Sequence, residues 1–260
     1  MNGIKMKYEK IQLAAKWIVD SDKVVVFTGA GVSTESGLPD FRGPNGVWTR
    51  RDKGLPPPRT KVPWSEVEPN KAHLAIVELQ NMGKLDFLIS QNVDNLHLKS
   101  GIKPKKIAEL HGNSTLMRCL NCDMQFKKQV VGWVEAKWGK GYRTMHPKKG
   151  QPSCPNCGGR LISSVVNFGD PLPEKDLNKA IRHSMTCDLF IAIGSSLVVT
   201  PAAEMPRYAL EARAKFILIN QGETPYDELA HLRFDGKAGV IMSAIIRKVK
   251  QILGNYPKKD

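Results

Sequence analysis

No apolar run in this 260-residue chain approaches the ~20 residues of a membrane-spanning helix, so none is expected. No apolar stretch follows the charges of the opening MNGIKMKYEK. A secretory signal is therefore not expected, and a cytoplasmic location is the default expectation. No G-x-x-x-x-G-K-[ST] occurs, which excludes a P-loop kinase or ATPase. The basic runs KPKK (103–106), HPKKG (146–150) and the tail PKKD do not alternate with aromatics, as those of a single-strand binder would. Internal repeats and low-complexity tracts are absent.

What is present is a folded composition, 41% hydrophobic and 25% charged. The length allows one large core, or one core plus a satellite module. Net charge is +14. It fits a lysine-rich solvated surface, or an acidic partner such as DNA or the proteins attached to it.

Residues 6–20 space Ile11, Ala14, Ala15 and Ile18 at helical intervals. KVVVFTGAG then enters glycines as a buried strand. LDFLIS (85–90), CDLFIAIG (187–194) and FILIN (216–220) repeat that pattern, with helical spacing in KAHLAIVELQNMG, AAEMPRYALEARA and the closing AGVIMSAIIRKVKQIL. Alternating strands and helices predict an α/β fold with a doubly wound, mostly parallel sheet. Residues 44–70, rich in proline and charge, read as a surface excursion. Residues 116–163 read as an inserted module.

That module holds four of the five cysteines. Cys119-x-x-Cys122 and Cys154-x-x-Cys157 each place two thiolates on one tight turn, and together they make a tetrahedral sulfur site for one Zn²⁺. Four sulfurs leave no position for substrate, so the metal is expected to be structural. Cys187 heads an apolar strand and reads as an inert core thiol.

In an open parallel sheet, ligands bind beyond the carboxyl ends of the strands. GAGVSTESGLPDFRG, SQNVDNLH, ELHGN, IGSSLVV and INQGETPYD all fall at or just after strand-like runs. The first loop departs from the dehydrogenase fingerprint. Gly29 and Gly31 fit G-x-G, but the next glycine, Gly37, comes too late. Asn220, after the strand at 216–220, could still bond a ribose hydroxyl. A dinucleotide site without hydride chemistry is what these residues support.

GAGVSTESGLPDFRG, QNVDNLH, HGN, the paired knuckles, VVNFGDPLP, GSSLVV and INQGETPYD follow one another in the order typical of the sirtuins. The chain resembles that family of NAD-dependent protein-lysine deacylases from residue 24 to about 240. The resemblance implies a Rossmann-like NAD domain over 1–115 and 164–260 and a zinc module over 116–163. It implies NAD as co-substrate, nicotinamide and O-acyl-ADP-ribose as products, and an acyl-lysine protein or peptide as partner.

By that resemblance, the Gly29–Ala30–Gly31 turn and Thr34 cradle the pyrophosphate through the backbone N–H groups of Ala30 and Gly31. Gly194, Ser195 and Ser196 add donors, Asn220 and Gln221 hold the adenosine ribose, and Ala238-Gly239 border adenine. Asp40, Phe41 and Arg42 form a flap over the ribose and nicotinamide. Gln91, Asn92 and Val93 face the ribose, and Asp94 accepts the nicotinamide carboxamide. His111 is the general base toward a ribose hydroxyl, its ordinary pKa of about 6.5 suiting neutral pH. Asn92 orders water at the reacting carbon. Val166, Phe168, Gly169, Leu197 and Val198 line the acyl-lysine channel, where the peptide adds as a strand. His73, His97, His146, His183 and His231 are read as structural.

GPNGVW is similar to the sixth and seventh human sirtuins, and no Y-x-x-R of the desuccinylase type follows Trp48. Two other classes stay open at this point. One is an NAD-dependent ADP-ribosyltransferase on the same scaffold. The other is a zinc-ribbon chromatin or nucleic-acid binder without catalysis.

Overall fold

The computed structural model describes residues 2–60 and 63–255, and the basic run at 257–260 lies outside them. The strands, in chain order, are β1 (Val24–Thr28), β2 (Leu85–Ser90), β3 (Ile107–Glu109), β4 (Leu116–Cys119), β5 (Gln125–Lys127), β6 (Leu161–Ser163), β7 (Leu189–Ile193), β8 (Lys215–Asn220) and β9 (Leu232–Asp235). The α-helices are α1 (Asn2–Asp20), α2 (Val47–Asp52), α3 (Lys71–Asn81), α4 (Leu96–Ser100), α5 (Glu135–Trp138), α6 (Glu174–Ser184), α7 (Met205–Glu211) and α8 (Ala238–Asn255).

Six strands make one parallel sheet in the order β3-β2-β1-β7-β8-β9. Residues alternate across it with period two. Val24 and Val26 of β1 join the layer built from α1, α3 and α8, where Ala14, Ile18, Ile76 and Met242 are buried. Val25 and Phe27 face the other layer, with Ala180 of α6 and Met205 and Ala209 of α7. Burial on both faces explains why these strands are unbroken apolar runs. Phe27, Phe190 and Phe216 are fully buried, each contributing about 1.5–3 kcal/mol through burial.

The strand order reverses between β1 and β7, which opens a crevice at their carboxyl ends. The chain leaves β1 into a 3₁₀ helix, Ala30–Ser36. Asn70 fixes that turn from outside. Its amide donates to the Val32 carbonyl at 2.8 Å and to Ser36 Oγ at 3.0 Å, and its Oδ1 caps α3 through the Ala72 N–H at 2.8 Å.

β5-β4-β6 form a separate antiparallel sheet within 116–163. Its small core comprises Met117, Cys119, Trp133, Cys154 and Leu161. The 44–70 excursion is only partly a surface feature. Trp48, on α2, and Trp64 both turn toward the crevice. Proline and charge marked this segment as irregular but gave no signal of the inward aromatics.

Candidate active site

A cavity of about 1230 Å³ lies at the strand ends, and no described residue of 116–163 lines it. Its floor is the β1–β7 switch point. The Gly31 N–H donates to the Gly194 carbonyl at 2.8 Å, and the Gly29 N–H to the Ile193 carbonyl at 3.1 Å. Gly194 has φ +61, and a Cβ there would stand 2.3 Å from the Val32 nitrogen. Glycine at these positions therefore lets two loops touch. The expectation for the cradle is corrected accordingly. The Gly31 N–H already has a partner, so of the two amides named only that of Ala30 remains for a phosphate.

Asn92 and Asp94 are fixed through Ser33. Ser33 Oγ donates to Asp94 Oδ2 at 2.6 Å, the Leu96 N–H donates to Asp94 Oδ1 at 2.9 Å, and the Asn92 amide donates to Ser33 Oγ and the Gly29 carbonyl, each at 3.2 Å. Burial pushes the Asp94 carboxyl above its ordinary value, while the Ser33 and Leu96 donors oppose that shift. Gln91 is held by Ser195, whose hydroxyl donates to Gln91 Oε1 at 2.9 Å.

His111 Nδ1 lies 2.9 Å from the Gln91 carbonyl. A carbonyl only accepts, so Nδ1 carries the proton and Nε2 keeps its lone pair. Burial lowers the His111 pKa, and the Gln91 bond opposes this only in part. The imidazole is therefore neutral at pH 7, as a base must be. Gly112 follows at φ +78, where a Cβ would stand 1.8 Å from the Ser164 carbonyl oxygen, so only glycine lets the two segments cross. The Val166 N–H donates to the His111 carbonyl at 2.9 Å, which ties the channel segment to the base.

Behind His111, the buried Asn113 amide donates to Asn95 Oδ1 at 2.9 Å and to Glu109 Oε1 at 2.8 Å. This clamp joins the 92–95 loop to β3. Burial pushes the Glu109 carboxyl up to about 7.

Over the opening, Asp40 Oδ1 accepts the Gly43 N–H at 3.0 Å. The Trp48 ring centroid is 5.5 Å from that of Phe41 and 5.4 Å from that of Phe168, and the Arg42 guanidinium lies over Trp48 at 4.2 Å. Phe168 is 78% exposed and Phe41 is 49% exposed. Trp48 thus links the 40–42 loop to the 166–170 segment by aromatic and cation–π contact.

In the small sheet, the sulfurs of Cys119, Cys122, Cys154 and Cys157 all lie within 4.8 Å of one another. Cys119–Cys157 is 3.5 Å and Cys122–Cys154 is 3.7 Å. Four ligands at the zinc–sulfur distance of about 2.3 Å set tetrahedral edges of about 3.8 Å. The four residues are therefore positioned for one zinc ion, and they fit it as a closed structural site.

The sequence profile of the Sir2 family matches residues 57–201. The NAD-dependent protein deacylase 2 of Archaeoglobus fulgidus is 37% identical over 262 residues, covering 94% of this chain and 98% of that protein. This chain belongs to the Sir2 family. Another relative, the NAD-dependent protein deacetylase SRT1 of Arabidopsis thaliana, is 35% identical over 255 residues, which is 96% of this chain and 51% of that protein. The chain thus spans about half the length of the plant relatives it matches. The structure of Sir2Af2 bound to a myristoylated histone peptide is similar at TM-score 0.66 and 33% identity, over 95% of this chain and 99% of that one.

Within the Sir2 fold, most residues expected from the sequence reach the cavity. Ala30, Asp40, Phe41, Arg42, Gln91, Asn92, Val93, Asp94, Ser196, Gln221, Gly169 and Val198 are on its lining, as are His111, Val166, Phe168, Gly194, Ser195 and Asn220. Six do not line it. Thr34 turns back to the Gly31 carbonyl at 2.9 Å, Gly29 packs on Gly194, and Leu197 is buried. Ala238 and Gly239 open α8, where Glu35 Oε2 accepts the Gly239 N–H at 2.6 Å and occupies the helix end. That contact closes the helix end assigned to adenine. Gly31 lines the cavity, but its N–H is directed at Gly194. Sequence reasoning missed Ser33, Trp48, Trp64 and Leu172. Ser33 lies inside the glycine loop, Trp48 ends GPNGVW and Leu172 lies inside VVNFGDPLP, but nothing local marks them, or Trp64, as facing the cavity.

His73 and His97 of this Sir2 chain are buried with ring centroids 4.9 Å apart. His97 Nε2 meets Thr28 Oγ1 at 2.8 Å, and His73 Nδ1 accepts the Asn70 N–H at 3.2 Å. Burial lowers His73 to about 4, and burial with the neighbouring His73 lowers His97 well below its ordinary value of 6.5. The unfolded chain therefore binds more protons than the native one below pH 6.5. Stability is fully present above that pH and is lost as pH falls toward 4, at about 1.4 kcal/mol per histidine per pH unit. Urea midpoints measured from pH 7 to 5 are expected to fall, and the slope to flatten in His73→Gln. An unchanged slope would remove these rings as the cause.

Proposed function

We propose that this chain removes acyl groups from protein lysine side chains, consuming NAD and leaving nicotinamide, O-acyl-ADP-ribose and free lysine. The observation that carries the reading is His111. It is a neutral imidazole with Nδ1 committed to Gln91 and Nε2 free, on the wall of a cavity that also holds Asn92 and Asp94. Bound NAD would supply the ribose carbon to which the acyl oxygen bonds as nicotinamide leaves. His111 Nε2 accepts the ribose-hydroxyl proton. Asp94, held by Ser33, accepts the carboxamide N–H. Phe41 and Trp48 keep water from the reacting carbon. Val166 and Phe168 flank the lysine stem, and the neutral acyl-lysine enters where a charged lysine would lose hydration without a partner. Mass spectrometry of an acetyl-lysine peptide incubated with NAD tests this. O-acetyl-ADP-ribose and free lysine are expected, whereas an ADP-ribosylated protein or no product would overturn the reading.

Arg42 is the one lysine or arginine among the described lining residues, against Asp40, Asp94, Asp170, Glu174 and Glu223. This excess of acid supports a basic substrate segment, of the kind found in chromatin-associated proteins. It also opposes an acidic acyl group. Arg42 is stacked on Trp48, and Arg50, Arg51 and Arg59 lie off the lining. A succinyl carboxylate beside Val166 and Phe168 would cost several kcal/mol. An aliphatic chain along Trp48, Trp64 and Leu172 gains about 0.8 kcal/mol per buried methylene. On one peptide at fixed NAD, acetyl and myristoyl lysine are expected to give comparable kcat/KM, with succinyl lysine at least tenfold lower (about 1.4 kcal/mol). Succinyl removal that matches acetyl removal would mean that an arginine reaches the channel.

A further inference from the structure

The zinc module carries half of the chain's net charge. Residues 116–163 hold nine Lys and Arg against two Asp and Glu, a net of +7 within the +14 of the whole chain. A zinc ion on four thiolates offsets about two of these charges. We infer that the surface formed by the 137–149 segment and Arg160 binds duplex DNA through its phosphate backbone, without regard to base sequence.

The charges are segregated. Residues 136–169 contain no Asp or Glu, and within them stand Lys137, Lys140, Arg143, Lys148, Lys149 and Arg160. Arg160 is half-buried and the other five are exposed. Glu135, the acid just before this stretch, is already taken. Lys128 lies 2.5 Å and Lys140 3.8 Å from its carboxylate. Among the described residues, Lys137, Arg143, Lys148, Lys149 and Arg160 have no acidic partner. Crowded like charges repel one another, and a polyanion relieves that repulsion.

The charges are also fastened together. Lys148 Nζ donates to the Lys137 carbonyl at 3.1 Å. The Arg160 guanidinium donates to the Arg143 carbonyl at 3.4 Å and to the Met145 carbonyl. Each keeps donors to spare, since an ammonium has three and a guanidinium five. Lys137 Nζ stands over the Trp138 ring at 4.5 Å. The Gly141 carbonyl accepts the Ser163 N–H at 2.7 Å, which ties the segment to β6. Cations from α5, the loop after it and the second knuckle thus meet on one surface.

Their chemistry favours the phosphates of a duplex. Four of the six are lysines, and lysine is depleted in the cores of protein–protein interfaces. Phosphates along a duplex are met by separate point charges of this kind. Trp133 is buried and Trp138 and Tyr142 are half-buried, so these rings offer no platform on which a single strand could stack its bases. Phosphate contacts carry no base information. β6 leads from this surface to the 166–170 segment, so DNA held here would bring basic proteins bound to it toward the acidic cavity. That link rests on the deacylase reading, whereas the binding itself does not.

Fluorescence anisotropy of a labelled duplex of about 20 base pairs, titrated with the full, zinc-loaded chain at about 50 to 200 mM salt, tests the assignment. Dissociation constants on the order of micromolar are expected, alike for two unrelated sequences. The slope of log K against log salt should be about −4 to −5, for roughly five neutralised phosphates. Arg143→Glu, Lys148→Glu and Lys149→Glu together should weaken binding at least about tenfold. Lys16→Glu, Lys71→Glu and Arg247→Glu, at exposed positions of α1, α3 and α8, make the same change in net charge and should weaken it less than about threefold. The milder pair Lys148→Gln and Lys149→Gln should flatten the slope by about two. Metal content and circular dichroism of each variant must match the parent. Equal loss in both triple variants, an unaltered slope in the milder pair, or no binding at low salt would overturn the site. So would tighter binding to a polyglutamate peptide or to anionic phospholipid vesicles. The readout is binding, so it stands apart from whether the chain deacylates lysine.

Discussion

His111→Ala abolishes turnover of an acetyl-lysine peptide, lowering kcat by at least about 10²- to 10⁴-fold, the range of a positioned general base. The fold persists, because the imidazole makes one polar contact within the protein, to the Gln91 carbonyl. Affinity for ADP-ribose changes little, because the groups that hold phosphate and ribose stand on other loops. The loss should appear in kcat with little change in the substrate constants, as for an interaction made only in the transition state. Steady-state kinetics, with a thermal-shift titration of ADP-ribose, check both parts. Near-parental turnover would remove His111 from the mechanism. The parent's acid limb should lie below pH 6.5, because burial lowers the His111 pKa from that value.

Cys154→Ser removes one of four zinc ligands, and the small sheet unfolds while the parallel sheet persists. A structural zinc contributes on the order of 10 kcal/mol to the folding of a small module. The remaining core of that sheet, built around Met117, Trp133 and Leu161, is too small to replace it. Parent protein should bind one zinc per chain and the variant a fraction of that. Limited proteolysis should then cut within 116–163. Activity falls as well, because Ser164 and Val166, which follow β6, are bonded to Asn113 and His111. A fully active, fully folded variant without zinc would overturn the structural role of the metal.

Helix α6 shows where local pattern runs out. Leu177, Ala180 and Ile181 stand at helical spacing and pack on the sheet, but this apolar stripe is narrow and every other position of the helix is charged or polar. β3 and β9, of three and four residues, are equally faint. The long strands are different. β1, β2, β7 and β8 are buried on both faces and stand out as apolar runs.

The α/β alternation, the four-sulfur metal site and the set of polar loops at the strand ends are legible in the residues alone. Each is a local signal, carried by period, spacing or residue type within a few positions. How those groups are used follows from packing between segments far apart in the chain. Gly31 gives its N–H to Gly194, a residue 163 positions away, because the sheet order places β1 beside β7. Glu35 closes the end of α8 across 204 positions. Trp48 reaches Phe168. Donors and rings acquire partners through packing between distant segments, and those partners decide which groups remain free for a ligand.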